Sequence, residues 1–380
     1  MAIYPALACN LDMHILQAGL PLFASEQVAA LEWSFDSLYA QTELPDWFDE
    51  LLLTYGQANR LVGHGVFFSI FAGRWRPEQQ TWLNQLADRA NRYRFDHVTE
   101  HFGFMTGASF HAGAPMSVPL NTTTLRIGQD RLHRIQQAAG CAVGLENLAL
   151  AYSLDDVKRQ GDFLHQLLAP VDGLLIMDLH NLYCQSHNFG VDWRELLALY
   201  PLDRIREIHL SGGSWEDSIS EPGRIIRRDT HDEAVPGLLF DWLPVAIDQC
   251  PNLKYVVLEQ LGRGLVTDAA RLQYQADFTR IANSVAAHPK ASVQGPAPAF
   301  RPETPVELPA QPLEDETLAW QQQHLTTILE TAGSAHEARQ QLAASPLAHS
   351  DWGTERWQPA MLETALRIAQ KWTNGFSGLQ

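Results

Sequence analysis

Cysteine is scarce in this chain. Cys9, Cys141, Cys184 and Cys250 are the four in 380 residues, far apart and with no CxxC pair. That is too sparse for a disulfide scaffold and suits a reducing compartment. Long apolar runs are missing too, since none approaches the ~20 residues that a membrane span needs. The N-terminal MAIYPALACNLDMHILQ has no basic start followed by a long apolar stretch, so no secretory signal is expected. Positive charge is short: 27 Lys and Arg stand against 44 Asp and Glu, a formal charge of −17. Such a surface repels polyphosphate and anionic lipid, which argues against nucleic-acid and membrane partners. Together these absences predict a soluble cytoplasmic protein.

What is present is ample apolar material, 46% of the residues, enough to bury a full core in a chain long for one domain. Strand-like runs recur at Ala6–Leu11, Ala30–Phe35, Leu61–Val66, His97–His101, Ala142–Asn147, Leu174–Leu179, Ile205–Leu210 and Tyr255–Glu259. Most pairs are separated by stretches of helical period, such as PEQQTWLNQLADRANRY and SLDDVKRQGDFLHQLL. This alternation predicts an α/β fold, a (β/α)8 TIM-type barrel over residues 1–287. The run GPAPAFRPETPVELPAQP marks 288–314 as a Pro/Ala-rich linker. Helical spacing in LAWQQQHLTTILETA and WQPAMLETALRIAQKW predicts a small helical appendage over 315–380. The polar connection Gly212–Gly237 is too long for a turn and is a candidate active-site loop.

In a parallel barrel the C-terminal strand ends converge on one face. There the sequence places His64, Glu100 and His101, Glu146 and Asn147, then Asp178, His180, Asn181 and His187 in MDLHNLYCQSHN. His209 follows in EIHLSG, Asp229 and His231 in RDTHD, and Glu259 in VVLEQ. A single strand-end His or Glu is more often a hydrogen-bonded structural group. So many together need a common reason, and packed carboxylates repel unless protons or a cation neutralise them. A multivalent metal takes imidazole nitrogen and carboxylate oxygen alike, and donors of this kind without cysteine suit Fe, Mn or Zn. The candidate ligands are His64, His101, Glu146, Asp178, Asn181, His187, His209, Asp229, His231 and Glu259, with Glu100 and His180 secondary. They outnumber the needs of one octahedral ion. Cys184 reads as a small apolar filler, and the remaining histidines, His97 among them, as ordinary.

Taken in order, HGV, TEH, LEN, MDLHNLYxxxHN, EIHLSG, DTHD and VVLEQ resemble the motifs of the multinuclear non-heme iron-dependent oxidative enzymes. That family includes the methanobactin-biosynthesis oxidase and relatives that modify cysteines in ribosomally made peptides. The likeness spans roughly residues 5–285. It implies a barrel holding two or three irons (Fe2+/Fe3+) with O2 as co-substrate, a peptide substrate, and often a separate leader-binding partner protein. Carried over residue by residue, the implied ligands are the ten candidates above. This chain departs from the family at His180, where Asn is usual, and at Asp36-Ser37, where Glu-Asn is usual.

Two other readings stay open on the residues alone. One is a divalent-metal isomerase or hydrolase of the xylose-isomerase-like barrel type, using metal as Lewis acid. A sugar isomerase would favour a lysine near the carbonyl, and the barrel region has only Lys158 and Lys254, neither at a strand's C-terminal end. The other is a non-catalytic metal-binding protein.

Overall fold

The computed structural model describes residues 2–37, 43–107, 109–110, 112–288, 300 and 307–373. Its strands are β1 (Tyr4–Ala8), β2 (Ala30–Trp33), β3 (Leu61–His64), β4 (His97–His101), β5 (Phe104–Met105), β6 (Pro115–Met116), β7 (Ala142–Glu146), β8 (Leu174–Asp178), β9 (Ile205–Leu210), β10 (Trp215–Asp217), β11 (Ile225–Arg227) and β12 (Tyr255–Leu258). The helices are α1 (Met13–Ala24), α2 (Asp46–Gln57), α3 (Pro77–Tyr93), α4 (Thr122–Ala139), α5 (Leu154–Leu168), α6 (Leu179–Phe189), α7 (Trp193–Leu197), α8 (Gly237–Gln249), α9 (Asp268–Ala287), α10 (Glu316–Thr331), α11 (Ala335–Ala343) and α12 (Pro359–Trp372).

Eight strands close a parallel barrel in the order β1-β12-β9-β8-β7-β4-β3-β2. Each of the eight strand-like runs in the sequence contributes one of them. The helices start where short polar side chains can take up free backbone N–H groups. Asn121 accepts from Thr124 N, Ser153 from Asp156 N and Thr267 from Ala270 N, the preferred N-cap chemistry. Inside the barrel the strand period of two sorts the residues into layers. Ala6, Ala30, Val62, Tyr255 and Val257 form an apolar plug. Two residues further along β2 and β3, the same inward face presents Glu32 and His64. On β2 and β3 apolar packing therefore ends partway up the barrel, and charged side chains lie above it toward the C-terminal ends.

Gly212–Gly237 is not a plain loop. Its first half folds back as the antiparallel hairpin β10–β11, and only the part after Arg227 runs irregularly over the barrel mouth. The small pair β5–β6 and helix α11 were not anticipated. Most of the expected linker 288–314, namely 289–299 and 301–306, lies outside the described residues. No helix among the described residues is long and apolar enough to cross a membrane.

The tail helices pack on the barrel. Gln322 of α10 accepts from Gly73 N (2.9 Å) and donates to Phe71 O (2.8 Å). Trp357, just before α12, stacks on Tyr152 with ring centres 3.7 Å apart. Glu363 of α12 accepts from Ser218 Oγ (2.9 Å), Ile219 N (3.0 Å), Ser220 N (2.9 Å) and Ser220 Oγ (2.7 Å). Burial opposes its charge, yet these hydrogen bonds hold its carboxyl down at about 2. Glu363→Ala is expected to cost about 1–3 kcal/mol, since buried Ser218 and two exposed neighbours lose a shared charged acceptor. Faster hydrogen exchange at Ile219 and Ser220 and along α12 would report it. A depressed folded pKa makes this stabilisation present above the ordinary glutamate value of 4.5 and lost as pH falls toward about 2.

Candidate metal centre

Strand alternation builds the crater. Glu32 ends up inward on β2, His64 on β3, His101 on β4, Glu146 on β7, Asp178 on β8, and Glu207 and His209 on β9. Glu259 follows β12, while Asp229 and His231 come from the segment after β11. Four groups of three put donor atoms within 4.8 Å of one another: His64, His101 and Glu146; Glu146, Asp178 and His209; Glu32, Glu207 and His209; Asp178, His231 and Glu259. Neighbouring groups share Glu146, Asp178 or His209, so the donors form one continuous chain. His64 Nε2 is 3.2 Å from Glu146 Oε2, and His101 Nε2 is 3.6 Å from the same oxygen. His209 bridges Glu32 (3.0 Å) and Glu259 (3.2 Å), and His231 bridges Asp229 (2.8 Å) and Glu259 (3.3 Å).

The surroundings fix which nitrogen each imidazole offers. Thr99 Oγ1 donates to Gly63 O (3.3 Å) and therefore accepts from His64 Nδ1–H (2.8 Å). His101 Nδ1–H donates to Gly65 O (3.1 Å). Both rings thus present Nε2 to Glu146, the nitrogen that a metal ion would take in place of a proton, as outer hydrogen bonds arrange for metal-ligating histidines. Thr99→Val, nearly isosteric, removes the acceptor behind His64. Metal affinity is expected to fall ~10–100-fold, read by competition with a chromophoric chelator; unchanged affinity would mean the threonine does not set the ring.

His231 sits in the left-handed region with φ 54°, a strain of order 1–3 kcal/mol that persists only where surroundings impose it. Its carbonyl accepts from Leu261 N at 2.6 Å, which pins the loop over β12. Gly213 lets this loop approach, because a Cβ there would lie 2.1 Å from Arg228 O and 2.8 Å from His180 Cε1.

Three sequence candidates are not brought to the crater. His187 was expected as a ligand in a loop. Asp178 caps α6 immediately, its side chain accepting from Asn181 N, so the chain turns from strand straight into helix. His187 is thereby carried two turns away, to an exposed position with Nε2 3.0 Å from Ile225 O and its ring 4.7 Å from that of Trp215. Glu100 falls between the inward residues Thr99 and His101 and so faces outward, accepting from Phe68 N (3.3 Å) and His101 N (3.2 Å). His180 has both nitrogens engaged. Arg227 Nε–H donates to its Nε2 (3.0 Å), so its Nδ1–H donates to Asp229 Oδ1 (3.0 Å), orienting that carboxylate. Asn181 stays beside the donors. Its Nδ2 donates to Glu146 Oε1 (3.2 Å) and Asn147 O (2.8 Å), leaving Oδ1 buried without a partner.

Glu32, Glu207 and His97 were passed over. His97 lies inside the barrel, its Nε2 2.7 Å from Glu207 and its Nδ1 3.1 Å from Asp96. Alternation held the signal: Glu207 is two residues before His209, and His97 two before Thr99, on the same faces.

The charges of this layer are mutually dependent. Burial, then the carboxylates of Asp229 and Glu146, raise Asp178 well above the ordinary range. Burial disfavours charge on His209, but the carboxylates of Glu32, Glu207 and Glu259 around it raise it strongly. His64, likewise opposed by burial, is pushed up to about 9 by Glu146 and Glu32. Without a cation, these carboxylates are neutralised by protons on the imidazoles. Buried oxygens without a hydrogen-bond partner remain on Glu207 Oε1 and Asn181 Oδ1. The donor set therefore fits one or more metal ions, which would replace those protons.

Above the donors lies a cavity of about 310 Å3, lined by Glu32, His64, His101, Glu146, Asp229 and His231 and walled by Leu148, Leu150, Met361 and Ile368 among others. A closed parallel barrel with a metal-competent crater and an adjoining cavity at its C-terminal mouth defines the class: a TIM-type barrel with a candidate metal centre. The chain belongs to the family described as RiPP precursor modification enzyme MbnB/TglH/ChrH, whose model matches residues 40–261. It is similar to a UPF0276 protein of Acaryochloris marina, 32% identical over 40% of this chain and 55% of that one. A UPF0276 protein of Anaeromyxobacter sp. is 28% identical over 48% and 61% respectively. The chain thus spans somewhat over half the length of these curated relatives. Among solved structures it is similar to a xylose isomerase domain protein from Alicyclobacillus acidocaldarius, with TM-score 0.48 and 18% identity, covering 75% of this chain and 99% of that one.

Proposed function

We propose that this chain is an iron- and O2-dependent oxidase that modifies a ribosomally made peptide, at a cysteine, in the cytoplasm. His64, His101, Glu146, Asp178, Asn181, His209, Asp229, His231 and Glu259 would hold two or three irons (Fe2+/Fe3+), with Glu32 as a further donor. The observation that carries this reading is the chain of overlapping donor triads sharing Glu146, Asp178 and His209, which offers more ligand atoms than one ion can use. Family membership supports a peptide as substrate, and a leader-binding partner protein belongs to the same reading.

Bound iron would supply the one-electron exchange with O2 that protein side chains lack. The chain's own residues do the rest. Thr99 and Gly65 O keep two imidazoles turned toward Glu146; His180, itself held by Arg227, aims Asp229. Apolar side chains from Leu148, Leu150, Met361 and Ile368 keep bulk water from a peptide side chain reaching the donors. The isomerase alternative finds no help from the barrel's own lysines. Lys254 precedes β12 at the opposite end and pairs with Asp96, and Lys158 lies on α5.

The test is elemental analysis of protein purified without oxygen, followed by the absorption change on admitting O2. Two to three irons per chain with an O2-dependent change is the expected result. Zinc or manganese with no response to O2, after expression in iron-replete medium, would overturn the oxidase reading in favour of Lewis-acid chemistry.

A further inference from the structure

The barrel supplies the floor of the cavity, but one wall comes from elsewhere. Met361, Thr364, Ile368, Lys371 and Trp372 of α12 line the same cavity as His64 and Glu146. Their spacing of three, four, three and one places them on one helical face. This helix lies beyond the residues matched by the family model, 40–261. Glu363 and Arg367 hold it in place, the first on residues 218–220 and the second on Glu216.

Cations gather at this wall although the chain carries a formal charge of −17. Arg228, Arg263 and Lys371 all line the cavity. Arg228 pairs with Glu216. Arg263 donates to Thr230 O (2.8 Å) and lies 3.3 Å from Asp232, while its Nε is buried without a partner. Lys371 is in no ion pair among the described residues, and its ammonium lies 5.1 Å from the centre of the Trp372 ring. Partial desolvation first, and the guanidinium of Arg263 second, hold that ammonium below the ordinary lysine range. An incoming anion would relieve this crowding.

We propose that α12 is the specificity wall of the cavity and that Lys371, with Arg263 and Arg228, receives a carboxylate of the substrate peptide. The choice of a peptide rests on the function proposed above; the cationic wall does not. The carboxylate is either the C-terminus of the peptide or an Asp or Glu side chain beside the modified residue. Apolar surface from Met361 and Ile368 lies on the same wall and suits an uncharged segment between that carboxylate and the donors.

The test is calorimetric titration of the full-length protein, as purified and without O2, with three probes. These are acetyl-Ala-Cys as free acid, the same dipeptide as its C-terminal amide, and acetyl-Ala-Cys-Glu amide. One carboxylate-bearing probe is expected to bind about tenfold more tightly than the uncharged amide, the scale of one hydrogen-bonded charge contact. Which one does so identifies the source. Lys371→Met should remove the preference, and Lys371→Glu should turn it against the acids. Lys371 is exposed, so both variants should keep the wild-type melting temperature. Equal binding of acid and amide forms by the wild type overturns the proposal, as does a preference that survives in Lys371→Glu. Repeating the series with serine in place of cysteine separates the two readings. A carboxylate preference that persists there supports the wall whether or not the cysteine probes are ever oxidised.

Discussion

On the function proposed above, Glu146→Gln is expected to lower the iron content by at least one ion per chain and to reduce O2-dependent turnover by more than the ~10–100-fold typical of an outer-sphere change. Glu146, like Asp178 and His209, is shared by two of the four triads. One of its oxygens faces both His64 and His101, and the other accepts from Asn181 Nδ2. Glutamine keeps the shape and can still hydrogen-bond Asn181, but it brings no negative charge for a cation. The near-UV circular dichroism of the metal-free variant should match that of the metal-free wild type, so a lost ion can be told from a lost fold. Full iron occupancy in the variant would remove Glu146 from the ligand set and, with it, the shared-carboxylate arrangement.

The second large effect concerns stability. Glu207 is fully buried at mid-barrel, 2.7 Å from His97 Nε2 and 3.7 Å from His209 Nε2. Burial opposes its charge, but the nearby His209 imidazole and the hydrogen bond to His97 bring its carboxyl to about 2. Glu207→Ala leaves two imidazoles facing an empty, desolvated position. The expected cost is about 3–5 kcal/mol, the usual consequence of removing one partner of a buried ion pair. Denaturant unfolding of metal-free protein measures it, and Glu207→Gln should cost less because it keeps an acceptor.

The pH dependence has a definite sign. The depressed carboxyl contributes above the ordinary glutamate value of 4.5 and loses that contribution as pH falls toward about 2. His97 is raised, burial being outweighed by Asp96 and Glu207, so its share is complete below the ordinary histidine value of 6.5 and fades as pH rises through its folded value. The gap between wild type and Glu207→Ala should therefore be widest between 4.5 and 6.5. A gap that is flat from pH 3 to 9 would show that the pair is not charged in the folded protein.

The barrel was legible because its signals are local and repeated. Each strand is a short apolar run between turn residues, and each long helix shows its period in sequence. Most of the crater was legible because strand ends in a parallel barrel have one destination. Where the reading failed, the deciding fact was side-chain direction or a single capping contact. Glu100 and His101 are adjacent in sequence, yet the pleat sends one outward to Phe68 N and the other to Glu146. Glu32 was hidden by its own run, an acid in an apolar strand whose inward direction was fixed by Ala30. His187 was misplaced because Asp178 starts α6 at once. No local pattern announced that α12, far along the chain, would return to wall the cavity, because a helix's own period reveals that it has a buried face and not what that face meets.

The one carboxylate of Asp178 sits at the junction of three structures. It closes β8, its Oδ1 accepts from Asn181 N to begin α6, and its Oδ2 accepts from Ser211 Oγ at 3.3 Å beside the donors. At the far end of α6, Asn188 clasps β11 by accepting from Arg227 N (2.9 Å) and donating to Arg227 O (3.0 Å). Ile226 of that strand packs on Ala360 and Met361 of α12. The donors at the bottom of the crater and the helix that roofs it are thus joined by one continuous path of contacts through α6, like a beam resting on two supports. Were an ion held in the proposed site to shift Asp178, reciprocity would require that the seating of α12 changes the hold on that ion by the same factor.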